Sequence, residues 1–207
     1  MVTRHRSITL LGAIFFALSL LFAAIASITL TDVLYPVIWT FDTPDHQAAT
    51  HAIVSYIAGK VPELTVAMTP AEQSHLADVR TLVLQGKILF IIFLASLGVC
   101  FLALPLQLKE LSSIVRNGAL LAIVVTLLLL AGFGTAFQLF HELLFPQGNW
   151  MFPADSVLIT LFPFQFFFRL VLGAFIVLLL LALGTLSLIA GMKRHHSRKQ
   201  LSTVCPR

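Results

Sequence analysis

Residues 166–192 read FFFRLVLGAFIVLLLLALGTLSLIAGM, and Lys193 and Arg194 follow at once. One charge, Arg169, stands in a run longer than the roughly 20 helical residues that cross a bilayer core. Three more apolar runs of that kind exist, at about 8–31, 88–108 and 118–140. The composition is 58% hydrophobic and 11% charged, far from the roughly 25% charged of soluble domains. Lipid therefore solvates much of the chain.

The flanks of the four runs orient them. Arg4 and Arg6 precede the first, Lys109 and Arg116 fall in the loop 109–117, and Lys193, Arg194, Arg198, Lys199 and Arg207 occupy the tail 193–207. These are nine of the thirteen basic residues, all on one side of an even-numbered weave, so that side is expected to be cytoplasmic. Eight of the nine acids, Asp32, Asp42, Asp45, Glu63, Glu72, Asp78, Glu142 and Asp155, fall on the other side. The expectation is an all-α polytopic membrane protein. It has four transmembrane helices, cytoplasmic termini and an outer-face subdomain of amphipathic and interfacial helices, built from about 32–87 and 141–165.

The same sorting disposes of several alternatives. The pI of about 9.4 reflects topology, and no basic, aromatic-interleaved patch suggests nucleic acid. Ala24-Ile25-Ala26 resembles a signal-peptide cleavage site, but the apolar run continues through Ile28, Thr29 and Leu30, so a retained helix is expected. Cys100 lies within a span and Cys205 in the tail, which leaves no outer thiol nucleophile. The tail reads as an anionic-lipid anchor.

Within the first outer segment, Thr43-Pro44 opens a stretch with apolar Ala49, Ala52, Ile53 and Tyr56 that stops at Gly59. That spacing predicts an amphipathic helix. Thr69-Pro70-Ala71-Glu72 predicts a second helix start, with Thr69 as N-cap, proline at the first position and Glu72 closing a capping box. The helix runs through His75 and Asp78 towards Gly86, where it hinges or continues into the second span. In the second outer segment, Pro146, Gly148, Pro153 and Pro163 rule out one regular helix. Ser156–Leu161 is too short to span and forms an interfacial or re-entrant piece, with Asp155 as its expected N-cap.

Four histidines, 46, 51, 75 and 141, fall on the outer side. His46 and His51 read as solvated. His75 lies between Glu72 and Asp78 at i−3 and i+3, which groups three ionisable side chains in one helical sector. A carboxylate beside an imidazole fixes its tautomer and stabilises the imidazolium, as a general base requires. His141 follows the Phe133, Phe137, Phe140 stripe at the outer end of the third span, a depth at which ionisable groups are costly and usually functional. A histidine near a helix C-terminus also has the plainer use of satisfying unpaired carbonyls.

His141-Glu142-Leu143-Leu144-Phe145 lacks the second histidine of a zincin motif, and His75, Asp78, His141 and Glu142 have no metal-ligand spacing. No metal and no cofactor are expected. Nucleotide-binding and serine-hydrolase motifs are absent from the sequence. A lipid or small-molecule transporter needs polar groups within its spans, and Thr126, Gly132, Gly134, Thr135 and Gln138 are modest candidates. A non-catalytic membrane scaffold is the other alternative.

Two blocks carry a resemblance. Glu72-Gln73-Ser74-His75-Leu76-Ala77-Asp78-Val79-Arg80 is the first. The second is Phe140-His141-Glu142-Leu143-Leu144-Phe145, followed by Trp150, Asp155 and Leu161-Phe162-Pro163-Phe164-Gln165-Phe166-Phe167. Together they resemble a bacterial four-helix membrane family that includes the lipoprotein intramolecular transacylases. The resemblance implies transfer of the sn-2 acyl chain of a diacylglyceryl-modified cysteine to that cysteine's own α-amino group, leaving a lyso-form lipoprotein. Its partners would be the diacylated lipoprotein and membrane lipid, without nucleotide or nucleic acid. His75, His141 and Asp78 would be catalytic: one histidine deprotonates the attacking ammonium, the other, or Arg80, stabilises the oxyanion, and Asp78 orients His75. Arg80, Glu72, Glu142 and Asp155 would support the site, and Phe145, Trp150, Phe152, Phe162, Phe166 and Phe167 would line an acyl cleft.

Overall fold

The computed structural model describes residues 2–29, 43–103 and 107–204. Asp32, Pro36 and Asp42 of the first outer segment, the stretch 104–106 of the second span, and Cys205 and Arg207 lie outside the described residues. Among those described there are seven helices and no strand: α1 (Val2–Thr29), α2 (Pro44–Ile57), α3 (Pro70–Ala103), α4 (Leu108–Ala131), α5 (Phe133–Leu144), α6 (Val157–Leu161) and α7 (Phe164–Val204). Three of them contain segments long and apolar enough to cross a membrane: Thr9–Ser27, Leu108–Ala131 and Phe164–Ser197. The protein is thus a multi-pass helical membrane protein.

Two compact units divide the chain. One comprises Met1–Ile25, Leu94–Leu127 and Ala174–Arg207. Its core is small: Ala17, Leu20 and Ala24 from α1, Ala119 and Ala122 from α4, Leu178 and Ala182 from α7. A Cβ on Gly118 would stand 2.6 Å from the Ala13 carbonyl oxygen and 2.9 Å from the Phe16 ring, and one on Gly12 would stand 2.8 Å from Ile114. Apolar side chains gain little from leaving lipid for protein, so such helices associate through close packing, and small residues let the backbones approach. Many leucines of these helices, Leu10, Leu120, Leu180, Leu183 and Leu188 among them, are instead exposed, as a lipid-facing surface requires.

The other unit comprises Ala26–Phe93 and Leu128–Gly173. Thr43 caps α2 by accepting from the His46 N–H at 3.2 Å. The helix ends where Lys60 N bonds Ser55 O at 2.9 Å and Gly59 N bonds Tyr56 O at 3.0 Å, with Gly59 at φ +76°. That is a Schellman ending, which places glycine in the left-handed region. Ile53 of α2 packs with Leu76 of α3 and with Leu158 and Leu161 of α6. The connection to α3 is tied down by Arg80, which donates to Val61 O at 2.8 Å and Pro62 O at 3.3 Å, and by Lys87, which donates to Ala58 O at 2.6 Å.

Helix α3 passes through Gly86 without a hinge. The stretch expected as one span over 118–140 differs: α4 starts at Leu108 and stops at Ala131, and Gly132, at φ −109° and ψ 32°, separates it from α5. Glycine permits the break there, because without a Cβ it leaves the backbone free to re-aim. The cap of α6 is also corrected. Ser156, not Asp155, accepts from Ile159 N at 3.2 Å, and Asp155 lies exposed in the preceding turn.

Candidate functional site

The first turn of α3 fixes the site's frame. Thr69 Oγ1 accepts from Glu72 N at 3.3 Å, while Glu72 Oε2 accepts from Thr69 N at 2.9 Å and from the Thr69 hydroxyl at 2.8 Å. The capping box is therefore complete. The other oxygen, Oε1, accepts from Leu158 N at 3.0 Å, so the same carboxylate also holds the start of α6. Glu72 is 1% exposed. Burial alone would raise its pKa, but the N–H groups of Leu158 and Thr69 and the Thr69 hydroxyl outweigh it and hold the group below its ordinary 4.5. Glu72 is a structural carboxylate with both oxygens engaged.

One turn on, His75 is 8% exposed, with Phe145 at 4.7 Å and Phe152 at 5.6 Å between ring centroids. Its Nδ1 is buried and, among the described residues, has no hydrogen-bond partner. Burial first, then the neighbouring His141, lower its pKa from 6.5 to about 4, against the opposing pull of Asp78 and Asn149. His75 is a neutral imidazole at physiological pH.

His141 comes from the last turn of α5 and is 9% exposed. Its ring lies 6.2 Å from that of His75 and nearly parallel, at 25°. Phe137 at 4.2 Å, Trp150 at 5.0 Å, Phe140 at 5.3 Å and Phe145 at 5.7 Å surround it. Nδ1 reaches the Phe137 carbonyl oxygen at 2.7 Å. A carbonyl only accepts, so Nδ1 carries the proton, and the neutral ring bears its lone pair on Nε2.

The remaining expected residues divide. Asp78 does not hydrogen-bond to His75: its Oδ2 accepts from Gln147 Nε2 at 2.8 Å and Asn149 Nδ2 at 2.7 Å. Arg80 is engaged with the Val61 and Pro62 carbonyls and lies 4.6 Å over the Tyr56 ring, so it makes no hydrogen bond to either histidine. Glu142 is exposed and accepts from Gln138 at 2.7 Å. Phe145, Trp150 and Phe152 touch the histidines directly, and Phe167 reaches them through Phe137 at 5.3 Å. Phe162 and Phe166 pair with each other at 5.2 Å. Sequence reasoning missed Ser74, Gln147 and Asn149. The tripeptide turn Gln147-Gly148-Asn149, with Gly148 at φ +77°, is the signal that marked a fixed loop there. Among the described residues, no group of three or more His, Cys, Asp or Glu is placed to hold a metal ion.

Fold and site together define a class: a helical integral membrane protein whose buried imidazole pair sits in an aromatic shell. A family model described as lipoprotein intramolecular transacylase, Lit, matches residues 7–167. The chain belongs to that family, and it is an acyltransferase of the intramolecular kind acting on lipoprotein. The fold is similar to the in meso structure of the membrane integral lipoprotein intramolecular transacylase Lit from Bacillus cereus, with a TM-score of 0.68 at 20% identity over 97% of this chain and 99% of that one. Structures of that protein with a histidine-to-arginine and a histidine-to-alanine mutation are also similar. The first has a TM-score of 0.67 at 19% identity, over 94% of this chain and 95% of that one. The second has a TM-score of 0.64 at 21% identity, over 96% of each. A search of curated protein sequences gives no match.

Proposed function

We propose that the chain moves the sn-2 acyl chain of a diacylglyceryl-cysteine onto the α-amino group of the same cysteine, with His141 as base and His75 as oxyanion partner. The bond from His141 Nδ1 to the Phe137 carbonyl carries this reading, because it leaves Nε2 as the proton acceptor. The amine nitrogen attacks the ester carbonyl carbon. His141 Nε2 first frees the amine by taking one proton from the ammonium and passing it to solvent. It then takes the proton the attacking nitrogen must lose and returns it to the departing glyceryl oxygen, so the amide forms, the ester breaks and one proton is released overall. The neutral His75 imidazole donates an N–H to the oxyanion, where an imidazolium would tend to surrender its proton. Both reactants belong to one molecule, so orientation within the aromatic shell supplies much of the rate.

The reading includes a topology. The apolar half of α3, from Ile88 to Ala103, is the fourth crossing beside the segments in α1, α4 and α7. Both termini are cytoplasmic and the histidine pair faces the outer leaflet of the plasma membrane, where lipoproteins are displayed. The distribution of basic residues supports this orientation.

The test replaces each histidine separately. His141→Gln and His75→Gln, incubated with a synthetic diacylated lipopeptide, are expected to lose about 10²–10⁴-fold in the rate of N-acyl lyso product, read by mass spectrometry. Full activity in either variant would overturn the two-histidine scheme.

A further inference from the structure

We propose that the Asp78 carboxylate is the seat of the substrate's α-ammonium group, held ready by the side-chain amides of Gln147 and Asn149. The proposal rests on the acyl-transfer reading above and assigns Asp78 to binding, in place of orienting His75. Oδ2 accepts from Gln147 Nε2 at 2.8 Å and from Asn149 Nδ2 at 2.7 Å. Gln147 Nε2 also reaches Asn149 Oδ1 at 3.1 Å, and Asn149 Nδ2 reaches Ser74 Oγ at 3.3 Å. Every one of these partners is neutral. The clamp therefore fixes the carboxylate without cancelling its charge, and among the described residues no hydrogen bond reaches Oδ1.

Position and chemistry agree. Asp78 follows His75 by three residues on α3, so the two side chains are neighbours on the helix surface. Asn149, which clamps it, immediately precedes Trp150, and Trp150 packs on His141. Asp78 thus stands at the polar edge of the shell that holds the imidazoles. The nearby cation, Arg80, is committed to two carbonyls and the Tyr56 ring. Glu72 has both oxygens engaged, and Glu142 is exposed on α5. The free amino terminus of the substrate has an ordinary pKa of about 7.7–8.0 and arrives charged at neutral pH. Leaving water for a site among phenylalanines costs that ammonium its hydration, and a carboxylate with a free oxygen offsets the loss.

The test uses the full-length protein in lipid nanodiscs and an unreactive lipopeptide with an ether at the sn-2 position, prepared with a free or an N-acetylated α-amino group. Wild type is expected to bind the free-amine form about tenfold or more tightly than the acetylated one. Asp78→Asn is expected to bind both alike, Asn149→Ala to lose part of the preference, and His141→Gln to keep all of it while failing to turn over the ester. On the ester substrate, Asp78→Asn raises KM by the same factor without an equal fall in kcat. The preference of unmutated protein should also vanish near pH 10, where the amine is neutral, a readout independent of any variant's folding. A preference retained by Asp78→Asn, or absent from wild type at pH 7, overturns the seat and leaves the histidine scheme standing. Full turnover by His141→Gln overturns that scheme whatever Asp78 does.

Discussion

At Gly118 the backbone of α4 meets the Ala13 carbonyl with no room for a Cβ, whereas at Glu72 a buried carboxylate accepts three hydrogen bonds from two separate helix starts. The first contact belongs to a unit whose core is mostly alanine, the second to a unit of rings, caps and clamped loops. In lipid, helices gain from fitting and not from hiding apolar surface, so the first unit uses its smallest residues where it must be strong. The second unit must present polar chemistry inside an apolar shell, and each buried polar atom there needs a partner. Among the described residues, the Thr50 hydroxyl and His75 Nδ1 lack one.

The largest effect is expected from removing the fit. Gly118→Leu places a side chain against a backbone oxygen and the Phe16 ring, neither free to retreat, and should cost about 3 kcal/mol or prevent folding. Gly184→Ala, where nothing lies within 4 Å, should be neutral or slightly stabilising. Thermal unfolding in detergent compares the two. Equal stability would mean that backbone approach does not hold the alanine-rich unit together.

A smaller loss is expected from Glu72→Ala, which leaves the N–H groups of Thr69 and Leu158 without their acceptor and should cost about 2 kcal/mol. Hydrogen exchange reads it locally: amides of α6 should exchange faster, because Glu72 holds that helix's first turn. Unchanged protection over Val157–Leu161 would show that apolar packing alone seats α6, and would weaken the contrast between the units.

What could be read in the sequence follows the range of each interaction. Thr43, Gly59 and the Thr69–Glu72 box act within a few residues, and the structure realises each of them. Two helix-level features were harder. Gly132 sits in a continuous apolar run, and hydropathy does not register where such a run bends. Ser156 and Asp155 are both good caps, and the backbone, not composition, selects between them. Histidines 75 and 141 could be named because each lies in a distinctive local context, but their stacking joins α3 to α5. Asp78 bonds to residues 69 and 71 positions away, through a turn with no periodicity, so spacing suggested the nearer His75 as its partner.

The smallest effect at neutral pH is one of protons, because it is silent there. The folded pKa of His75 is about 4 against an ordinary 6.5, so as pH falls the unfolded chain takes up this proton first. Stability is then unaffected above about 6.5, is lost progressively from there to about 4, and changes no further below. Glu72 acts in the same direction but lower, since a carboxylate held below 4.5 contributes stability that is present above that value and lost as pH falls through its folded pKa. The windows separate the two groups. Melting temperature followed from pH 7 to 4.5 should decline for wild type and stay flatter for His75→Gln, with the two curves converging in slope once carboxylates begin to protonate. Parallel curves from pH 6.5 downward would mean that His75 titrates as an ordinary histidine, and that the aromatic shell does not keep it neutral for its part beside His141.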